Sequence, residues 1–166
     1  PVTGSDVAPA AIERPRAEAG KRGLNIAFSV ADLRAAHEHH GREFDVVLSL
    51  HNALPHLLSD DDIAAALREL YRCTRPGGLC MISARDYAAL PRGGVQLHPY
   101  GVRSVGGERY VLFQVWDWRE PFYDLTLYIV RDSGSACGTA VARTTHYAIP
   151  LAQLTRLMER AGFAKV

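Results

Sequence analysis

The chain has 166 residues, 48% hydrophobic and 22% charged, which is enough for one hydrophobic core and not for two. Its 19 basic and 18 acidic residues leave a formal charge of +1, so nothing points to a nucleic-acid or membrane surface. No apolar run reaches the ~20 residues of a membrane span, no signal-peptide pattern opens the chain, and Cys73, Cys80 and Cys137 are scattered and odd in number, as reduced thiols of a cytoplasmic protein would be rather than a disulfide framework or zinc site.

The first element is a short β-prone run, Val2-Thr3-Gly4-Ser5, ending at Asp6. A helix follows from Pro9 to about Arg22, with Gly23 as its stop signal and Pro15 expected to kink or shorten it. Leu24 to Val30 reads as a strand that delivers Ala31-Asp32-Leu33 at its end. After a short helical segment, the nearly continuous apolar run Phe44 to Leu50 suits a parallel strand buried on both faces. Ser59 can cap a helix whose first turn is Asp60-Asp61-Asp62 and whose stripe is Ile63, Ala66, Leu67 and Leu70. Arg75-Pro76-Gly77-Gly78 ends it, and Leu79 to Ser83 is the next strand.

This alternation predicts Val2–Ser5, Ile26–Val30, Asp45–Leu50 and Leu79–Ser83 parallel in one sheet. The pattern then changes. Val95–Val102, Tyr110–Trp118, Phe122–Val130 and Val141–Ile149 are strand-like and joined by short turns, so they pair antiparallel, an insert at about residues 92–149. Pro150 opens a last helix with Leu151, Leu154, Leu157 and Met158 on one face, closed by Gly162. The expectation is a single α/β domain over 1–166. The chain opens inside one strand and stops as another begins, so it reads as truncated at both ends.

Several polar residues fall where open α/β sheets bind ligands, at the carboxyl ends of strands. Asp6 can accept both hydroxyls of a ribose or cap the following helix. Asp32 can accept the exocyclic amine of an adenine, with Leu33 on its ring, or simply form a turn. Leu50-His51-Asn52-Ala53-Leu54-Pro55-His56-Leu57 clusters an amide and two imidazoles that can orient or deprotonate a substrate, or serve only the loop. Trp116 and Trp118 share a strand face and suit core packing or a pocket wall. His37, His39 and His40 near Glu38 read as an exposed polar segment, with no metal site assigned.

Taken in order, Val2 to Pro9, Ala31-Asp32-Leu33, Phe44-Asp45-Val46-Val47, Asn52 to Leu57 and Arg75-Pro76-Gly77-Gly78 resemble class I S-adenosylmethionine-dependent methyltransferases, with a Rossmann-like fold. The Asn-x-x-x-His-Leu stretch, Ser83-Ala84-Arg85-Asp86-Tyr87 and Ala161-Gly162-Phe163 are most similar to the glycine and sarcosine N-methyltransferase-like branch, which also carries antiparallel strands after its fifth strand. The resemblance implies S-adenosyl-L-methionine as cofactor, with Asp6 on the ribose, Val7 on adenine, Asp32 and Leu33 at the adenine edge, and Leu50 and His51 along the methionine side. His56 and Asn52 are read as the catalytic groups, with His56 or a water to take the acceptor's proton; Arg85, which the resemblance implies, and Tyr87 near it are read as substrate-binding groups. Arg85 would take an amino-acid carboxylate through a bidentate pair; read from the residues alone, it is equally a surface arginine paired with Asp86. The family's glycine-rich loop would lie before Pro1, with its strand in a slot between Val2–Ser5 and Asp45–Leu50.

The expected function is methyl transfer to a small-molecule acceptor, at an amine of an amino-acid-like substrate, with no nucleic-acid or membrane partner. The acceptor's identity and the oligomeric state are not legible. The alternatives are a non-catalytic Rossmann-like binding domain or inactive fragment, and an NAD-dependent oxidoreductase, whose ribose Asp6 would also suit.

Overall fold

A computed structural model describes residues 1–41 and 43–166. It divides into two compact units, the first made of 1–50, 60–82 and 155–166, the second of 51–59 and 83–154.

The first unit contains β1 (Val2–Asp6), α1 (Pro9–Lys21), β2 (Ile26–Val30), α2 (Ala36–His40), β3 (Phe44–Ser49), α3 (Asp60–Cys73) and β4 (Thr74–Ile82). β1 pairs parallel with β2 from Val2 opposite Ile26 to Asp6 opposite Val30, and β3 pairs parallel with β4. Within each pair the strands run parallel, as expected; the single sheet is not found. The four strands form two separate two-stranded sheets. A cavity of about 460 Å³ is lined by Val2–Ser5 of β1 and Phe44–Leu48 of β3.

That separation corrects a second expectation. β3 is not buried on both faces: Val46 is 51% exposed and Leu48 56%. A parallel strand becomes buried only when it is interior to a sheet with helices on both sides, and β3 has a partner on one edge alone.

α3 is the best-determined element. Three aspartates begin it, where the helix dipole favours anions. Ile63, Ala66, Leu67, Leu70 and Cys73 then recur at helical spacing and are all buried. Each large member contributes about 1.5–3 kcal/mol by leaving water. α1 runs through Pro15 without being shortened. The Arg75–Gly78 stretch, expected as a plain turn, lies inside β4 as a bulge: Phe44 pairs with Thr74, and Val46 already pairs with Leu79. Only glycine fits at Gly78, because a Cβ there would lie 2.9 Å from the Arg75 carbonyl oxygen and 3.0 Å from that of Asp45.

The second unit is built on β5 (Val95–Val105), β6 (Glu108–Arg119), β7 (Phe122–Asp132) and β8 (Cys137–Tyr147), paired antiparallel in chain order. Short turns at Gly106-Gly107, Glu120-Pro121 and Ser133–Ala136 set this meander, as predicted, with longer strands than the periodicity suggested. Its core is Tyr87, Trp116, Trp118, Tyr123 and Ala148. The two tryptophans are therefore core residues.

α4 (Leu151–Ala161) crosses from the second unit into the first, with Leu154 and Leu157 buried. Within the first unit, Gly162 ends it with φ of 114°, and Tyr71 lies so close that any Cβ would meet its ring at 2.8 Å.

Candidate functional site

The predicted site residues divide between the units. Asp6, Val7, Asp32, Leu33 and Leu50 belong to the first; His51, Asn52, His56, Arg85 and Tyr87 belong to the second.

In the first unit, the β1–β2 register brings Asp6 and Asp32 to the same end of the parallel pair, since Asp6 faces Val30 and Asp32 lies two residues beyond. Both carboxylates make local turns. Asp6 Oδ1 accepts the Ala8 amide at 2.8 Å, and among the described residues its Oδ2 accepts nothing. Asp32 Oδ1 accepts the Arg34 amide at 2.8 Å, and Arg34 also donates to the carboxylate through Nε and through Nη2, the latter at 2.7 Å. Those charge-assisted bonds hold the Asp32 carboxyl below its ordinary range. Arg34 donates as well to Asp62, at 2.9 Å. Val7 is 68% exposed, Leu33 lines the cavity beside β1 and β3, and Leu50 is exposed just after β3.

The second unit assembles its polar residues differently. His51 and Asn52 have φ of 59° and 60°, two successive left-handed residues that are not glycine. Such strain persists only where surrounding contacts over-determine it. Here the contact is the Asn52 side chain. Its Nδ2 donates to Tyr87 Oη at 2.8 Å, while its Oδ1 accepts the Arg85 amide at 3.1 Å. Arg85 Nη1 donates to Tyr123 Oη at 3.2 Å, and the Tyr87 and Tyr123 hydroxyls lie 3.3 Å apart. The Arg85 guanidinium also stands over the Trp116 ring, 4.5 Å from its centroid. No carboxylate pairs with Arg85 among the described residues, and Asp86 instead caps the next turn through the Ala88 amide. The reading of Arg85 as a surface residue paired with Asp86 is therefore overturned.

His56 shares a hydrogen bond with Thr144 Oγ1 at 3.2 Å through Nδ1. Its ring lies 4.2 Å from His146, which in turn stacks on Tyr123 at 4.9 Å and 7°. His146 is buried, and among the described residues its Nδ1 has no hydrogen-bond partner. Burial, then repulsion from His56 and Arg85, lowers its pKa to about 4, so it is neutral at pH 7. Burial first, with the Tyr87 hydrogen bond second, raises the Tyr123 phenol above its usual value.

Sequence reasoning thus found Asn52, His56, Arg85 and Tyr87, which the structure brings together. It missed Tyr123, Thr144 and His146. Their only signal was strand alternation on β7 and β8, which cannot say which face meets residues some 35 to 90 positions earlier.

A family model described as a methyltransferase domain matches residues 1–78. The sugar N-methyltransferase KedS8 from Streptoalloteichus matches with a TM-score of 0.77 at 17% identity, over 96% of this chain and 62% of that one. CalS10, an amino pentose methyltransferase from Micromonospora echinaspora with S-adenosylmethionine bound, matches with a TM-score of 0.78 at 17% identity, over 97% and 65%. This chain carries the fold of the class I S-adenosylmethionine-dependent methyltransferases. A glycine/sarcosine N-methyltransferase from Parasynechococcus marenigrum is 31% identical over 93 residues, 56% of this chain. The chain spans about a third of that relative's length and 62–65% of those two solved methyltransferases.

Proposed function

We propose that this chain serves S-adenosylmethionine-dependent methyl transfer to the amine of a small molecule that also bears an anionic group, an amino-acid-like acceptor. The observation that carries the reading is Arg85: a guanidinium held by a tyrosine hydroxyl and an indole face, with no carboxylate of its own. Such a group is preorganised for a carboxylate. The named relatives agree on nitrogen, since the glycine/sarcosine and KedS8 enzymes are N-methyltransferases.

The residues of the first unit fit the cofactor's adenosine. Asp6 keeps one carboxylate oxygen for a ribose hydroxyl, and exposed Val7 offers apolar surface to the adenine ring. Asp32 fits less freely, because Arg34 occupies most of its acceptor capacity; Leu33 would pack beside it. Leu50 and His51 would line the methionine side. S-adenosylmethionine, when bound, supplies a methyl group already activated by its sulfonium.

The acceptor side is left with positioning and with a proton. Only a neutral amine attacks a methyl group, so an ammonium acceptor must lose a proton first. His56, whose Nδ1 shares a hydrogen bond with Thr144 Oγ1, is the imidazole that would take that proton. Asn52 and Tyr87 hold Arg85 in place through its own amide and through the paired tyrosine hydroxyls.

The test is an acceptor screen with Arg85→Lys and Arg85→Ala. Acceptor KM should rise sharply in both while the KM for S-adenosylmethionine stays put, because lysine keeps charge and loses the planar fork. Turnover confined to uncharged phenols or amines, with Arg85→Ala kinetics unchanged, overturns the reading.

A further inference from the structure

Strand β8 touches His56 twice. Thr144 and His146 stand at alternate positions of that strand, so their side chains leave it on the same face. Thr144 Oγ1 lies 3.2 Å from His56 Nδ1, a contact across 88 residues of sequence. The His146 ring lies 4.2 Å from the His56 ring and is tilted by 50° to it. The first contact acts at the edge of the imidazole, where its nitrogens donate or accept, and the second acts on its face. Together they limit both the rotation of the ring and the choice of which nitrogen carries the proton.

The hydroxyl is the informative part of Thr144. Valine has nearly the same shape and suits a strand as well, and position 144 is only partly buried. The Thr144 hydroxyl also donates to the Thr145 carbonyl, at 3.4 Å. With its proton turned there, its oxygen is left to accept from an imidazole N–H. His146 in turn stacks parallel on Tyr123, its register partner on β7, at 4.9 Å and 7°. Tyr123 Oη accepts from Arg85 Nη1. The imidazole is thereby tied to the same pair of strands that holds the guanidinium.

We propose that Thr144 is the positioning residue of His56: its hydroxyl holds the imidazole in one rotamer and one tautomer, with the His146 ring closing its face. The role rests on the reading of His56 as the group that takes the acceptor's proton. A proton is taken only by a nitrogen that is both unprotonated and aimed at it. His56 lies in an exposed turn, and β8 supplies the aim that such a turn leaves loose.

Two-bond proton–nitrogen correlation spectra of the imidazoles, recorded at pH ~8 where histidine is neutral, test the role on the chain itself. His56, identified by the signal that His56→Gln removes, should show two widely separated nitrogen shifts, the mark of a single tautomer. Thr144→Val should draw the two shifts together, with an unchanged far-ultraviolet spectrum, and Thr144→Ser, which keeps the hydroxyl, should separate them again. In turnover of S-adenosylmethionine with its best amino-acid acceptor, Thr144→Val should lower kcat roughly tenfold or more, a part of the ~10²–10⁴-fold that a positioned general base supplies. Both KM values should hold, and Thr144→Ser should recover most of the loss. Three outcomes overturn the proposal: a wild-type His56 that already averages its tautomers, nitrogen shifts in Thr144→Val like those of the wild type, or an unchanged kcat in Thr144→Val where His56→Gln lowers it. Full kcat in His56→Gln overturns the base reading instead, and the nitrogen shifts then decide alone whether Thr144 orients the ring.

Discussion

The two units satisfy their polar groups in opposite ways. In the first, Asp6 and Asp32 each accept a backbone amide two residues away, and both stay at least partly exposed. In the second, Asn52, Arg85, Tyr87 and Tyr123 reach across 33 to 38 residues, and both tyrosines are fully buried. Local turns leave a carboxylate free to take up a ligand at small cost. A buried network has no such freedom: every member that is removed strands another. The proposed cofactor side, built from loose carboxylates, and the proposed acceptor side, built from a rigid network, should therefore respond differently to substitution.

The largest effect is expected at Tyr123. Tyr123→Ala should cost about 3–5 kcal/mol of stability, since it empties the centre of the aromatic core. Tyr123→Phe, which keeps the ring, should cost less, about 1–2 kcal/mol, for the hydroxyl's bonds to Arg85 Nη1 and Tyr87 Oη. Urea melts of the two variants separate packing from hydrogen bonding; equal losses would show that the ring matters no more than its hydroxyl.

Acid comes next. Above pH ~6.5 His146 is neutral whether the chain is folded or not. As pH falls toward about 4, the unfolded chain takes up a proton that the folded one refuses, so stability drops, by ~3 kcal/mol at most over that window, and this group adds no further loss below it. His146→Phe should flatten this part of the stability–pH curve. If the slope between pH 6.5 and 4 survives the substitution, other groups are responsible.

On the cofactor side, Asp6→Ala should weaken S-adenosylmethionine binding by about 1–3 kcal/mol and leave folding stability nearly unchanged. Calorimetry that finds equal affinity removes Asp6 from the ribose. The smallest effect belongs to Arg34→Ala. Its bonds to Asp32 and Asp62 are largely exposed and screened by water, so the stability loss should be the smallest of the series. Freed of Arg34, Asp32 should bind adenosine no worse, and a large drop in affinity would mean that Arg34 itself holds the ligand.

Legibility follows the same division. The α3 stripe, the βα alternation and the hairpin meander were readable because each is a local periodicity punctuated by glycine, proline or aspartate. The aspartates after β1 and β2 were readable because a strand end and an acid lie adjacent in the chain. Arg85 was noticed, with a substrate carboxylate and Asp86 left as equal alternatives; in the structure Asp86 caps the next turn, and the guanidinium finds an indole and a phenol on the meander. Burial of β3 was misjudged for a related reason. An apolar run states what a strand can tolerate, and Val46 and Leu48 are exposed because β3 is paired on one edge only.

By itself, then, the amino-acid order determined the elements, their directions, and the positions where acids and histidines leave the strands, since those depend on neighbours within a turn or a strand. Tertiary structure alone decided that Tyr123 and His146 join Arg85 and His56, that two strand pairs stand as separate sheets, and which face of the meander is buried. Those outcomes depend on contacts between residues far apart in sequence, where burial and hydrogen-bond geometry, not local preference, set the energy.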